Sequence, residues 1–336
     1  MSKSAADDLE GGLHRLGYEG FRPGQQEAIE TLLQTGRLLL VAPTGGGKSL
    51  TYQLPAAILP GTTLVVSPLI ALMHDQVAAL NDRGLSATYL AGTLDATEVR
   101  LRLGQIERGE HKLVYVAPER LVFDGFRDLL SRLECPLVAI DEAHCISEWG
   151  HDFRPEYMHI GQILQQLPQA RVLACTATAT PVVRDEILER LGLPASTPQL
   201  LRGFARPNLA FRVLETQSKA QRTQAIDGLL RDGLGEAGSG RGTAIIYAPT
   251  RKATEEEALR LTDDDWGAAA YHAGMDGERR AQVQSAFAAG QQEIVVATNA
   301  FGMGIDRSDV RCIGHLGPPG SVEAYYQEAG RAGRDS

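Results

Sequence analysis

Cysteine is scarce and spaced against metal or disulfide chemistry. The four residues Cys135, Cys145, Cys175 and Cys312 include no C-x-x-C pair, which argues against a zinc cluster or a disulfide scaffold and for a reducing, cytoplasmic setting. The eight histidines show no H-x-x-x-H or H-E-x-x-H spacing, so no protein-held transition metal, zinc included, is expected. Long apolar runs are missing as well. Nothing approaches the roughly 18 residues of a membrane span, and the opening MSKSAADDLE has no apolar run of a secretory signal. Positive charge is in deficit. A formal net charge of −9 excludes a protein that coats nucleic acid by bulk charge, so any contact with a phosphate backbone must rest on a local groove. Apolar residues, by contrast, are plentiful. At 43% of 336 residues, with 22% charged, they suffice for two domains with separate cores and exclude disorder.

A recurring pattern organises the chain. Short β-branched or leucine-rich runs end abruptly at small or polar residues: Leu38 to Ala42, Thr63 to Val66, Leu113 to Ala117, Leu137 to Ile140 and Val172 to Cys175. They are too short for helices and too continuous for half-exposed strands, and so predict buried parallel strands. Helical segments intervene at Leu69 to Asn81, Thr97 to Glu107 and Pro181 to Leu191. The pattern restarts with Thr243 to Tyr247, Gln292 to Ala297 and Cys312 to Leu316, separated by helices at Lys252 to Leu261 and Gly277 to Ala288. This alternation predicts an α/β fold built twice over, each half a mostly parallel sheet flanked by helices. Gly and Pro interrupt both periods at Arg202-Gly203-Phe204-Ala205-Arg206-Pro207-Asn208, giving expected domains of 1–206 and 207–336. Ligands of such sheets bind beyond the carboxyl ends of the strands, where the reactive residue types gather.

Ala42-Pro43-Thr44-Gly45-Gly46-Gly47-Lys48-Ser49 sits between a strand and a helix. Glycines let backbone N–H groups curl around phosphate oxygens, and the helix N-terminus adds its positive dipole end. Lys48 reaches β- and γ-phosphates in such a loop, while the Ser49 hydroxyl ligates Mg²⁺. Asp141-Glu142-Ala143-His144 ends another apolar strand. Its two carboxylates suit different tasks, Asp141 holding Mg²⁺ and Glu142 acting as general base on water. Each motif strengthens the other, because a bound triphosphate needs both.

Three further segments carry weaker signals. Gln327 to Arg334 places Arg331 and Arg334 three residues apart, and guanidinium forks suit phosphate oxygens; a solvated basic surface is the plainer alternative. Glu148 to Tyr157 packs Trp149, Phe153, Tyr157 and Arg154 into one stretch of a chain that is only 6% aromatic. That composition suits stacking of unpaired bases and equally an aromatic mini-core under a loop. Tyr18, Arg22 and Gln25 precede the glycine-rich loop by about one helix, and a ring, a guanidinium plane and an amide can together hold a purine.

Taken together, these motifs resemble the RecQ family of superfamily 2 DNA helicases over nearly the whole chain. The resemblance is carried by Gly17 to Gln25, Thr44 to Ser49, Ser67 to Met73, Asp141 to Tyr157, Thr176 to Ala179, Tyr271 to Met275, Val296 to Asp306 and Tyr325 to Asp335. The aromatic segment joined to DEAH discriminates most, since DEAD-box RNA helicases lack it; base stacking thereby gains over the mini-core. The resemblance implies two RecA-like lobes with ATP and Mg²⁺ between them, single-stranded DNA across their tops, 3′-to-5′ translocation and separation of tailed duplexes. It implies that Tyr18 and Arg22 stack on adenine, that Gln25 hydrogen-bonds it, and that Thr44, Gly45, Gly46, Gly47, Lys48 and Ser49 cradle the phosphates. Arg331 and Arg334 would face the γ-phosphate, with Arg334 the preferred finger. Ser67, the Pro118-Glu119-Arg120 turn and Thr298 would touch the DNA backbone, while His144, Trp149, Phe153, Arg154, Thr176 and Thr178 would couple DNA to the ATP site. The expected state is a monomer. Two departures stand out. His315-Leu316-Gly317-Pro318-Pro319-Gly320 lacks an acidic and a basic residue usual in the family. Ser336 follows the arginine motif directly, so the expectation is a motor core without the zinc-binding, winged-helix and HRDC modules of many relatives, and with weak unwinding.

Overall fold

The computed structural model describes the chain except residues 1–2, 44, 150–151, 204–205, 207, 300, 302–306 and 335–336, and the side chains of residues 3–8. The chain divides into two compact units, 1–204 and 205–336.

The first unit holds seven strands: β1 (Arg37–Val41), β2 (Thr63–Val66), β3 (Ala87–Leu90), β4 (Leu113–Val116), β5 (Leu137–Ile140), β6 (Arg171–Thr176) and β7 (Gln199–Leu201). Their order across the sheet is β3-β4-β2-β5-β6-β1-β7, and every pairing is parallel. Both faces are covered, which explains the unbroken apolar runs. Leu39, Val41, Val66, Val138, Ile140 and Ala174 face one core. Their neighbours Leu38, Leu40, Val65, Ala139, Leu173 and Cys175 face the other. Full burial of each leucine contributes roughly 2–3 kcal/mol, so the register that buries both sets prevails over any one-residue slip.

The second unit holds β8 (Thr243–Tyr247), β9 (Ala268–Tyr271), β10 (Ile294–Ala297) and β11 (Val310–His315), ordered β11-β8-β10-β9, again parallel throughout. Each sheet alternates with helices, including Ile70–Asp82, Ala96–Glu107, Pro181–Arg190, Arg251–Asp263 and Gly277–Ala288. The sequence pattern found the long apolar strands and missed β3, β7 and β9. Their compositions, Ala-Thr-Tyr-Leu, Gln-Leu-Leu and Ala-Ala-Ala-Tyr, carry little strand signal of their own and are recruited by pairing with stronger neighbours.

Candidate nucleotide and nucleic-acid site

The order of the first sheet sets the site. β6 lies between β1 and β5, so the segments leaving these three strands share one edge. Ala42 N–H donates to the Thr176 carbonyl (3.1 Å), and Asp141 N–H to the Val66 carbonyl (2.8 Å).

After β1 the chain turns through Gly45 and Gly47, with φ of 80° and 72°, the left-handed region that favours glycine. Gln25 braces this turn. Its side-chain amide donates to the Gly47 carbonyl (2.9 Å) and accepts from the Arg22 N–H (2.7 Å), while Arg22 Nη1 donates to the Gly45 carbonyl (2.8 Å). Lys48 Nζ donates to the carbonyls of Ala42 (3.1 Å) and Pro43 (3.4 Å). Thr44 lies outside the described residues. Arg22 borders the loop, whereas the guanidinium over the Tyr18 ring is that of Arg83, 4.9 Å from its centroid, with a hydrogen bond of 2.8 Å to the phenol oxygen. Nothing local in the sequence marks Arg83, which lies 65 residues away.

After β5, Glu142 takes a left-handed backbone (φ 47°, ψ 46°), uncommon for a residue other than glycine and a frequent mark of functional sites. Asp141 is buried, and its carboxylate accepts from the Glu142 N–H (3.0 Å) and from the Cys175 thiol (3.5 Å). Burial first, then repulsion from Glu142, lifts the Asp141 carboxyl to about 6, with Lys48 opposing. Burial likewise raises the Tyr52 phenol, assisted by Tyr115, Asp141 and Cys175 and opposed by the Ser49 side chain. Tyr52 therefore senses both oxygen donors expected for Mg²⁺, Ser49 and Asp141, and an oxygen donor set of this kind fits a hard cation.

Among the described residues, Glu142 Oε2 is buried without a hydrogen bond, although His144 Nδ1 stands 3.4 Å away. That nitrogen instead pairs with Thr176 Oγ1 at 2.8 Å. The Thr176 hydroxyl also lies 3.1 Å from the Thr178 carbonyl, so it joins the imidazole to the turn that follows β6. A carboxylate oxygen without a donor among the described residues, beside an imidazole, suits acceptance of a proton from water. The pairing of His144 with Thr176 ties the DEAH turn to the end of β6.

The aromatic segment divides by burial. Tyr157 is fully buried and donates to the Asp141 carbonyl (2.9 Å). Trp149 is 78% exposed and Phe153 37%; neither sits in a mini-core. Arg154 holds Asp152 through Nε and Nη2 (3.3 and 3.1 Å) and donates to the Pro68 carbonyl (3.3 Å). Gly150 and His151 lie outside the described residues. Ser67 is buried. Pro118 is buried too; Glu119 accepts from the Gly92 N–H (3.1 Å), and Arg120 donates to the Ala91 carbonyl (2.7 Å). Cys145 is buried beside His144 and Asp152, a grouping that no spacing rule anticipates.

In the second unit Ser321 caps the helix Val322–Ala329, accepting from the Ala324 N–H (3.0 Å). This helix carries Glu328 and leads to Arg331 and Arg334. The Tyr247 phenol is raised by burial and opposed by Arg331. Arg206 donates to the carbonyls of Ala332 (3.1 Å) and Gly333 (2.6 Å), fixing the arginine turn. Thr298 follows β10, its carbonyl accepting from the Phe301 N–H (3.0 Å).

Two family descriptions match in tandem: DEAD/DEAH box helicase over residues 22–186 and helicase conserved C-terminal domain over residues 221–336. The chain is 44% identical over 324 residues to the ATP-dependent DNA helicase RecQ of Bacillus subtilis (strain 168), covering 96% of this chain and 53% of the relative. Identity is again 44%, over 325 residues, to RecQ of Pasteurella multocida (strain Pm70), covering 96% of this chain and 50% of the relative. The chain belongs to the RecQ helicase family. It spans about half the length of these RecQ relatives. The RecQ core also shares its fold with the solved structure of the Mycobacterium smegmatis helicase Lhr bound to ssDNA and AMP-PNP, at a TM-score of 0.69 and 21% identity, covering 97% of this chain and 46% of that one. Its parallel α/β units are thus those of the RecA-like helicase core. Among its described residues, no helix is long and apolar enough to cross a membrane.

Proposed function

We propose that this chain is the motor of an ATP-dependent DNA helicase that is stimulated by single-stranded DNA, moves 3′ to 5′ as a monomer and opens tailed duplexes in DNA repair or recombination. The observation that carries the reading is the continuity of one sheet edge. Lys48, Asp141 and Glu142 meet there, and the His144–Thr176 pair (2.8 Å) leads from them toward the exposed Trp149.

In this reading the Lys48 ammonium moves from the carbonyls of Ala42 and Pro43 to the more strongly charged β- and γ-phosphates. Ser49 and Asp141 hold Mg²⁺, which when bound neutralises charge on the phosphate oxygens. Glu142 orients the attacking water and takes its proton. Tyr18, Arg22 and Gln25 receive the adenine, with Arg22 and Gln25 already bracing the glycine turn. Arg331 and Arg334 are assigned to the γ-phosphate on the family resemblance, Arg334 as the finger. Trp149 and Phe153 stack on bases; Glu119, Arg120 and Thr298 lie on the segments that meet the DNA backbone, which the buried Ser67 and Pro118 position; Arg154 and Thr178 serve the coupling.

The test is ATP hydrolysis with and without single-stranded DNA, paired with displacement of a strand from a 3′-tailed duplex. DNA should stimulate turnover, and Lys48→Ala should reduce it to background while leaving the fold intact by circular dichroism. Turnover that survives this substitution refutes the site. Stimulation by RNA oligomers exceeding that by DNA refutes the substrate.

A further inference from the structure

Where the DEAH turn runs into the aromatic segment, three side chains of unlike chemistry converge. Cys145 Sγ lies 3.8 Å from His144 Nε2 and 3.8 Å from Asp152 Oδ2. One donor atom from each residue falls within 4.8 Å of the other two. Zinc bonds of about 2.3 Å to sulfur and 2.0–2.1 Å to nitrogen or oxygen, at tetrahedral angles, set donor atoms roughly 3.5 Å apart. The sulfur-centred spacings need to contract by only a few tenths of an ångström. The imidazole is prepared for the task. Its Nδ1 pairs with Thr176 Oγ1 at 2.8 Å, and Nε2 is the nitrogen that faces the thiol. A hydrogen bond on the far nitrogen is the usual support of a metal-binding histidine. The backbone keeps the donors together, because Arg154 N–H donates to the Cys145 carbonyl (2.8 Å) and folds residue 152 back over residue 145. His144 and Cys145 are buried, whereas the Asp152 side chain is 38% exposed and offers a way in.

We propose that His144, Cys145 and Asp152 form a site for a thiophilic divalent cation, Zn²⁺ by its donor set, with water as the fourth ligand, and that its occupation inhibits the motor. A thiolate and an imidazole select against Mg²⁺ and Ca²⁺, which prefer oxygen. As the metal–sulfur bond forms, the Cys145 thiol releases its proton to solvent. The cation also competes for Asp152 Oδ2, which Arg154 holds at 3.1 Å. Arg154 is thereby displaced from its partner, and the aromatic segment is pinned to the DEAH turn. Binding is independent of the proposed helicase activity; the inhibitory consequence rests on it.

The probe is Co²⁺, titrated into the full chain in thiol-free buffer. A sulfur-to-cobalt charge-transfer band should appear with one-to-one stoichiometry and be displaced by Zn²⁺. Cys145→Ala should abolish it, Asp152→Asn should weaken binding at least tenfold, and Cys312→Ala should leave it unchanged. Asp152 is partly exposed, so its variant remains informative should loss of the buried Cys145 impair folding. A band that persists in Cys145→Ala, or is unaltered in Asp152→Asn, overturns the site. In a second arm, Zn²⁺ in the presence of excess Mg²⁺ should lower DNA-stimulated ATP hydrolysis at least tenfold in the native chain and not in Cys145→Ala. Equal inhibition of both overturns the regulatory role. A chain with no DNA-stimulated hydrolysis at all speaks against the helicase reading instead, while the cobalt band still reports the site.

Discussion

His315 Nε2 and Glu328 Oε2 stand 2.8 Å apart, joining the end of β11 to the helix that leads into Arg331 and Arg334. Both side chains are largely buried, and the His315 imidazole stacks on the Tyr247 ring at 5.2 Å with an interplanar angle of 19°. Glu328 and Arg331 act with opposite sign on the Tyr247 phenol, so ring, imidazole, carboxylate and guanidinium form one packed group. His315→Ala leaves a buried carboxylate oxygen without its donor, at a cost of about 1–3 kcal/mol. The expected outcome is a lowered kcat for ATP with KM nearly unchanged, measured by steady-state hydrolysis; an unchanged kcat would detach His315 from the arginines.

Gly47 combines a φ of 72° with a close neighbour, for a Cβ there would collide with Gln25 Nε2. Gly47→Ala therefore meets backbone strain of about 1–3 kcal/mol and expels the Gln25 amide from its bond to the loop carbonyl. Urea unfolding should show the loss of stability. Binding of a fluorescent ATP analogue should fall with it. Retention of full nucleotide affinity would show that Gln25 does not shape the loop.

Trp149 is 78% exposed, so its removal should change stability by no more than about 0.5 kcal/mol. Stacking on an unpaired base contributes roughly 1–3 kcal/mol. Trp149→Ala should accordingly raise the DNA concentration for half-maximal ATPase stimulation about tenfold or more, with basal hydrolysis preserved. Parallel loss of basal and stimulated rates would return the residue to a structural role.

Asp141 titrates upward on folding, from an ordinary 3.8 to about 6. A carboxyl whose folded pKa exceeds its unfolded one contributes stability below the unfolded value, and loses it as pH rises through the folded value. Without Mg²⁺, then, the native chain should lose stability between about pH 4 and pH 6.5 at this position, and Asp141→Asn should remove that slope. At pH 8 the variant should melt a few degrees higher, while hydrolysing no ATP. A lower Tm for the variant at pH 8 would refute the sign.

Much of the site was legible because its residues are consecutive. The glycine-rich loop and the acidic pair each occupy a single strand-to-helix or strand-to-turn connection, and burial of apolar runs such as Leu38 to Val41 locates those connections. Arg83 over Tyr18, Cys175 on Asp141 and the grouping of His144, Cys145 and Asp152 were not legible. The first two pairs are 65 and 34 residues apart, and the third defeats regular metal-ligand spacings because a turn, not a helix, brings it together.

From the sequence alone came the chemical inventory and its order along the chain: a glycine-rich loop, an acidic pair, an aromatic segment and an arginine pair, each placed by local periodicity and turn chemistry. Tertiary structure alone decided which of these are neighbours. Insertion of β6 between β1 and β5 sets Thr176 against His144 and Cys175 against Asp141. Strand order depends on burying both faces of a sheet at once, a sum over many distant contacts to which no single stretch of residues holds the key.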